Sequence, residues 1–118
     1  MIVEQKTVNK PWGHELIWSH CNKFVGKILY INKGHKLSRQ YHEQKEETIF
    51  VLTGTLLLEL GQGDELQQVD LKEGQSFHVT PGTIHRFCAP HGDVRLAEVS
   101  TPELDDVVRL EDDYSRSK

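Results

Sequence analysis

The sequence is short of cysteine, of long apolar runs and of basic clusters. Its 118 residues include two cysteines, Cys21 and Cys88, too few and too far apart for a disulfide framework. No apolar segment approaches the roughly 18 residues of a membrane span, and the N-terminus has no signal-peptide core. No run of Lys and Arg could follow a phosphate backbone, since 18 acidic residues outnumber 14 basic ones. We therefore expect a cytoplasmic protein that binds neither membranes nor nucleic acid.

Short apolar segments separated by Gly, Pro and Asn predict an all-β fold in one domain spanning residues 1–118. Their regular spacing is typical of a β-sandwich or closed barrel. Thr53-Gly54 lies between two apolar segments and predicts a hairpin. Thr101, followed by Pro102, predicts the start of a short helix over 101–110. Strands are predicted at 16–19, 24–31, 40–42, 48–52, 55–60, 66–71, 76–79, 85–89 and 94–100.

Four side chains have the chemistry of metal ligands and lie on strand faces that are otherwise apolar: Gln40, His42, Glu47 and His85. Gln40 and His42 are two positions apart, so an extended strand directs both to one face. Glu47 shares its face with Ile49, where a carboxylate is costly unless it is paired or bound to a metal. A single histidine in a strand is more often a hydrogen-bonded or surface residue than a ligand. Four such residues together favour a metal site, and three protein ligands with an open position are typical of catalytic metals.

The spacing of these residues resembles the first motif of the cupin superfamily. That motif reads Gly, five residues, His-x-His, three or four residues, Glu, six residues, Gly. The chain has Gly34, Gln40-Tyr41-His42, Glu47 and Gly54, with Gln40 in place of the first histidine. The second cupin motif is similar to the segment from Gly74 to Ala89, in which Gly82 and His85 match. The resemblance implies a jelly-roll barrel with its core at about residues 14–100 and one divalent metal on His42, Glu47 and His85.

A glutamine at the first ligand position is typical of the C-terminal isomerase domain of type II mannose-6-phosphate isomerases. Lys10-Pro11-Trp12-Gly13 and the closing segment 105–116 are also similar to that family. The likeness implies an enzyme that interconverts an aldose and a ketose phosphate through an enediol, with a bound metal stabilising the negative charge. Zinc is the first expectation for the ion, with nickel, manganese and iron as alternatives. Because cupins commonly pair through strands, we also expect a homodimer.

Three residues are predicted to do the chemistry beside the metal. Lys36 matches a basic position of the family and is a candidate for phosphate binding or proton transfer. Glu47 is a candidate base as well as a ligand. Arg109 lies in the matching closing segment and is expected to fold over the barrel mouth and bind phosphate.

Two other basic residues leave alternatives open. Arg86 adjoins His85 and should face away from it, which favours a structural ion pair. Lys27 shares a face with Val25, Leu29 and Ile31, so it is either a sugar-phosphate contact or part of an exposed edge strand.

Two other functions fit the same barrel. One is a non-catalytic cupin that binds a sugar or nucleotide sugar in polysaccharide biosynthesis. The other is a metal-dependent oxygenase, but such enzymes more often use histidine where this chain has Gln40. Apolar residues at outward strand positions, such as Phe50 and Leu52, predict a covering layer, either the other half of the barrel or a second subunit.

Overall fold

The computed structural model describes residues 1–116 and consists of two antiparallel β-sheets packed face to face. The predicted all-β jelly roll is confirmed. The strands are β1 (Lys6–Lys10), β2 (Gly13–His20), β3 (Val25–Ile31), β4 (Arg39–Tyr41), β5 (Glu47–Thr53), β6 (Leu56–Leu60), β7 (Gln67–Leu71), β8 (Ser76–Val79), β9 (His85–Cys88), β10 (Val94–Ser100) and β11 (Val108–Glu111). One sheet has the order β1-β2-β3-β10-β5-β8, and the other β11-β4-β9-β6-β7. A 3-10 turn at Gly63–Glu65 precedes β7.

Strand alternation places the core between the sheets. In β5 the side chains of Glu47, Ile49 and Val51 are buried, whereas Phe50 and Leu52 are exposed. The apolar core combines both sheets with the loops that close the barrel: Trp12, Leu29, Ile31, Leu37, Ile49, Val51, Leu56, Leu58, Leu71, Phe87, Ala89, Val94 and Leu96. Several polar side chains are also buried, among them Lys27, His42, Lys45, Glu47, His85 and Glu98.

The hairpin predicted at Thr53-Gly54 is wrong, because β5 and β6 lie in different sheets. Gly54 has φ +85°, a left-handed conformation that glycine adopts at little cost. A Cβ at Gly54 would lie 2.4 Å from the carbonyl oxygen of Asp93. The turn therefore carries the chain from one sheet to the other and packs closely against the 93–94 backbone.

The helix predicted over 101–110 is also wrong. The hydroxyl of Thr101 accepts a hydrogen bond from the Glu46 N–H (3.0 Å) and so does not cap a helix. The carboxylate of Asp106 is likewise bound to the 43–45 backbone. Residues Val108–Glu111 pair with β4, so tertiary hydrogen bonds outweigh the local signal. In residues 1–116 no helix is long and apolar enough to cross a membrane.

Ion pairs fasten β11 to its sheet on the face opposite the core. Arg39 pairs with Glu59 (2.8 Å) and Glu111 (3.0 Å). Arg86 is buried, donates to the carbonyl oxygen of Leu37 (2.8 Å) and pairs with Asp113 (2.8 Å). The structural ion pair predicted for Arg86 is therefore present.

Candidate metal centre

His42, Glu47 and His85 converge because each lies at one end of a strand, and these three strand ends are close together. His42 directly follows β4, Glu47 opens β5 and His85 opens β9. One ligand atom from each residue lies within 4.8 Å of the others, and the three side chains are almost fully buried. The structure thus brings together the three residues that the cupin resemblance implies as metal ligands.

Backbone carbonyls fix the orientation of both imidazoles. His42 Nδ1 lies 2.5 Å from the carbonyl oxygen of Asp106, and His85 Nδ1 lies 2.8 Å from that of Thr83. A carbonyl oxygen can only accept, so each Nδ1 must carry the hydrogen and donate it. Each Nε2 is then left with its lone pair, and that of His42 lies 3.0 Å from Glu47 Oε2. Histidine ligands of metals are commonly held by such hydrogen bonds to backbone carbonyls.

The ligand atoms themselves have no hydrogen-bond partner. His42 Nε2, His85 Nε2 and Glu47 Oε2 are all buried without one, and His42 Nε2 lies 3.0 Å from Glu47 Oε2. Buried polar atoms are costly unless they are satisfied, and lone pairs facing one another repel. A divalent cation bound to all three atoms would satisfy them, so these residues fit a metal with two nitrogen ligands and one oxygen ligand.

The protonation states also suit a metal. Burial opposes ionisation of Glu47, but its contact with His42 and the nearby Lys45 ammonium lower its pKa to about 2. Burial lowers the pKa of His85, although Glu47 and the Thr83 carbonyl oppose this effect. At neutral pH Glu47 is therefore an anion and His85 a neutral base, the forms in which they bind metals.

Gln40 lies next to the triad of His42, Glu47 and His85. It pairs across strands with His85 on one side and with Arg109 on the other, so these three side chains form one row on the inner face of the sheet. The Oε1 atom of Gln40 accepts a hydrogen bond from Ser38 Oγ (2.6 Å). Gln40 and Arg109 both line the cavity described next.

A cavity of about 260 Å³ opens beside the triad and is strongly basic. Its wall includes His42, Gln40, Trp12, two carboxylates (Glu15 and Asp105) and six cations, namely Lys6, Lys10, Lys27, Lys45, Arg109 and Arg116. Lys27 is buried in a strand between β2 and β10, so the exposed-edge alternative for Lys27 is wrong.

Lys45 is a residue that sequence reasoning missed. Its ammonium lies 3.3 Å from Glu47 and 3.2 Å from the buried Glu98, which also approaches Lys27 at 3.7 Å. Lys27 in turn lies 3.3 Å from Glu15. Burial opposes the charge on Lys45, but Glu98 and Glu47 outweigh it and raise the pKa above its usual value. Lys45 lies two positions before Glu47, just ahead of β5, and that spacing was the available signal.

Lys36 is not brought to the triad. Its ammonium pairs with Asp113 at 3.7 Å, and Asp113 also binds Arg86, which faces away from His85. Lys36 is absent from the residues that line the cavity within the described chain. Of the cations expected to do chemistry, the structure therefore places Arg109 in the cavity and Lys36 outside it.

Comparison with known proteins agrees with this geometry. The profile of the cupin domain family matches residues 27–100. The xanthan biosynthesis protein XanB of Xanthomonas campestris pv. campestris is 33% identical over 95% of this chain and 24% of its own length. The mannose-1-phosphate guanylyltransferase RfbM of Salmonella typhimurium is 26% identical over 98% of this chain and 24% of its own length. The chain thus spans about a quarter of the length of these relatives.

Among solved structures, KdgF from Halomonas sp. superposes with a TM-score of 0.72 at 19% identity, covering 87% of this chain and 91% of KdgF. At that identity the likeness concerns the fold alone. The family profile, however, covers well over half of the chain, and its matched region contains Gln40, His42, Glu47 and His85. The chain therefore belongs to the cupin domain family, as its motifs predicted.

Proposed function

We propose that this cupin is a metal-dependent sugar-phosphate isomerase of the mannose-6-phosphate isomerase type, which interconverts an aldose and a ketose phosphate. One observation carries the proposal: three buried ligand atoms without hydrogen-bond partners converge beside a cavity lined by six cations. Such a cavity suits a small anionic substrate whose oxygens reach a metal. Two relatives are named a xanthan biosynthesis protein and a mannose-1-phosphate guanylyltransferase, and both names concern sugar metabolism, as the proposed reaction does.

His42, Glu47 and His85 would hold one divalent ion, with the amide oxygen of Gln40 as a weaker fourth ligand. Two imidazole nitrogens and a carboxylate suit zinc, while nickel, manganese and iron also accept this donor set. When bound, the ion would polarise sugar oxygens as a Lewis acid.

The cavity side chains have separate tasks. Lys45 stays protonated, so its ammonium can donate hydrogen bonds to a substrate oxygen that gains negative charge in the enediolate. Lys27 lies beside it on the shared carboxylate of Glu98 and adds a second fixed positive charge. With a pKa of about 2, Glu47 is a weak base, which favours the ligand role over proton transfer.

Cavity size favours a sugar phosphate over a nucleotide sugar. Pockets for drug-sized ligands are typically about 300 to 1,000 Å³, and this cavity of about 260 Å³ is smaller. A monosaccharide phosphate fits that volume better than a sugar joined to a nucleoside diphosphate.

Two free thiols, Cys21 and Cys88, agree with the reducing cytoplasm in which we expect the enzyme to act.

The outer face of the six-stranded sheet supports the expected homodimer. A cross-strand row runs through Leu16, Ile28, Ala97 and Phe50, and large apolar side chains on and around it are exposed, among them Trp18, Phe24, Leu52 and Val99. Exposed apolar patches of this kind mark interaction sites. We propose that a second copy of the chain covers this face, because a two-fold dimer pairs the same patch with itself.

The isomerase proposal is tested by incubating the metal-loaded protein with mannose 6-phosphate and, separately, with fructose 6-phosphate. Both reactions should approach one common mixture, and the metal-free protein should convert neither. No conversion with zinc, nickel, manganese or iron(II) would show the isomerase proposal to be wrong. Tight binding of the sugar phosphate without conversion would then support the binding cupin, and oxygen uptake would support the oxygenase.

A further inference from the structure

The loop between two of the metal-ligand residues is held by a distant segment of the chain. His42 follows β4 and Glu47 opens β5, so residues 43–46 form the loop that joins them. All four backbone N–H groups of this loop donate to side chains in residues 101–106, here called the clamp segment. The position of the loop, and with it the placement of His42 relative to Glu47, therefore depends on the clamp segment.

Asp106 makes most of these contacts. Its carboxylate accepts from the N–H groups of residues 43–45 at 2.7 to 3.0 Å, and Thr101 Oγ1 accepts from Glu46 N–H at 3.0 Å. The carbonyl oxygen of Asp106 accepts from His42 Nδ1 at 2.5 Å. Hydrogen bonds to an ionised acceptor are stronger than those to a neutral one. Asp106 thus holds the loop and the imidazole ring at the same time.

The neutral ring of His42 has two acceptors within reach for its single hydrogen. With the hydrogen on Nδ1, it donates to the Asp106 carbonyl and leaves the Nε2 lone pair for a metal. With the hydrogen on Nε2, it would donate to Glu47 Oε2 at 3.0 Å, and that bond would occupy two ligand atoms. The hydrogen bond made by one ring nitrogen decides which atom the other presents. The contact with Asp106 therefore selects the form of His42 that binds a metal.

His85 is held in a different way. Its Nδ1 donates to the carbonyl oxygen of Thr83, two positions earlier in the chain, at 2.8 Å. This bond is local to the turn before β9, so it should survive a change at Asp106. His85 can therefore serve as an internal reference when the ring of His42 is perturbed.

We infer that Asp106 is a positioning residue for the metal, which holds loop 43–46 and keeps Nε2 of His42 available to the ion. This inference rests on the proposed metal site and requires neither a particular substrate nor isomerisation. Asp105 and Val107, the chain neighbours of Asp106, line the cavity beside the triad. The same stretch of chain thus joins the cavity wall to the metal site.

The state of the His42 ring in the metal-free protein tests the inference first. Nitrogen-15 NMR spectra at pH 8, where free imidazole is neutral, distinguish a hydrogen on Nδ1 from one on Nε2. In wild type His42 and His85 should both carry it on Nδ1. Asp106→Ala should shift His42 towards the Nε2 form, because Glu47 Oε2 is the other acceptor within reach. The same variant should leave His85 unchanged.

Zinc affinity, measured by competition with a chelator, is the second readout. Asp106→Ala should weaken it about ten- to hundredfold, the usual effect of losing a residue that orients a metal ligand. Asp106→Asn keeps one acceptor oxygen and should fall between Asp106→Ala and wild type. Glu103→Gln is the matched control, because it removes one charge from the clamp segment and leaves the acceptors of loop 43–46 in place. It should bind zinc like wild type.

Three results would overturn the inference. The first is a His42 ring or a zinc affinity that stays as in wild type in Asp106→Ala. The second is an equal loss of zinc affinity in Glu103→Gln, which would make charge alone the cause. The third is a change at His85 as large as that at His42, which would indicate general loosening of the fold.

Two further outcomes keep the test decisive. If Asp106→Ala does not fold, Asp106→Asn provides the same comparison with a smaller expected shift. A wild type that binds no zinc would count against the proposed metal site. The tautomer shift in the metal-free protein would still show that Asp106 positions His42.

Discussion

His42 Nε2 lies 3.0 Å from Glu47 Oε2, and both atoms are buried without a hydrogen-bond partner. The Nδ1 atom of His42 donates to the carbonyl of Asp106, which leaves Nε2 as a lone pair. Glu47 is ionised because its pKa is about 2. Two acceptors at this separation need a positive charge between them, and His85 Nε2 completes the set.

Metal content should therefore depend on the imidazoles of the triad. Wild type loaded with zinc should hold about one ion per chain by elemental analysis, and zinc should raise its melting temperature because the ion binds the folded state. His42→Ala combined with His85→Ala should abolish both effects. His91→Ala is the control, since His91 is exposed and approaches Asp70 instead of the triad. Full zinc retention by the double variant would contradict the site.

Asp106 should give the fold a measurable pH dependence. Slight burial opposes its ionisation, but the N–H groups of Glu43, Gln44 and Lys45 outweigh it and lower its pKa. Asp106→Asn should reduce the free energy of unfolding by about 1 kcal/mol at neutral pH, the usual net value of such hydrogen bonds. The stabilisation is complete above the ordinary carboxyl pKa of about 4 and is lost as the pH falls through the lower pKa of the folded state.

Urea unfolding of both proteins between pH 7 and pH 2 measures this difference. Asp105→Asn is the matched control, because the neighbouring Asp105 is exposed. A constant gap between wild type and Asp106→Asn across this range would contradict the role given to the carboxylate.

Two glycines with nearly equal backbone conformations should respond differently to alanine. Gly54 and Gly34 have φ of +85° and +84°, but only at Gly54 would a Cβ meet another atom, the Asp93 carbonyl oxygen at 2.4 Å. Gly34→Ala should cost about 1 kcal/mol through backbone strain alone. Gly54→Ala should cost about 3 kcal/mol because overpacking adds to the same strain. Equal losses in urea unfolding would mean that the Asp93 contact is unimportant.

The alternation of apolar and polar residues predicted strands correctly where one strand face is buried, as in β5 and β10. It missed β1 and β11, which are edge strands with few apolar residues and are held by pairing and ion pairs. Local signals failed at 101–110, where Asp106 and Thr101 form hydrogen bonds with distant backbone. A short stretch of sequence contains no signal that predicts such long-range contacts.

The candidate site shows the same contrast. His42, Glu47 and His85 could be predicted because each lies on an inward face and fits a known motif. The meeting of Lys10, Arg109 and Arg116 in the cavity wall could not, because these residues come from segments near opposite ends of the chain. Lys36 has the expected sequence position but points to Asp113, a contact that only the folded chain reveals.

The exposed apolar face of the six-stranded sheet should govern assembly. Phe50 and Val99 lie on adjacent strands of this face and are both exposed. Light scattering after gel filtration should give wild type the molar mass of a dimer. The double variant Phe50→Glu, Val99→Glu should have the 13.6 kDa of one chain. Leu110→Glu, on β11 of the other sheet, should remain a dimer. A monomeric wild type would refute the proposed pairing.

The pairing of β11 with β4 has a consequence for the order in which the site forms. The triad is closed by contacts about forty positions apart, whereas Lys10 of β1 shares the cavity wall with Arg109 and Arg116, about a hundred positions away. Closing the longer loop costs about 1 kcal/mol more entropy. We therefore expect pulse-labelled amides of β5 and β9 to gain protection before those of β1 and β11. A partly folded chain would then form its metal site before the wall of its cavity is complete.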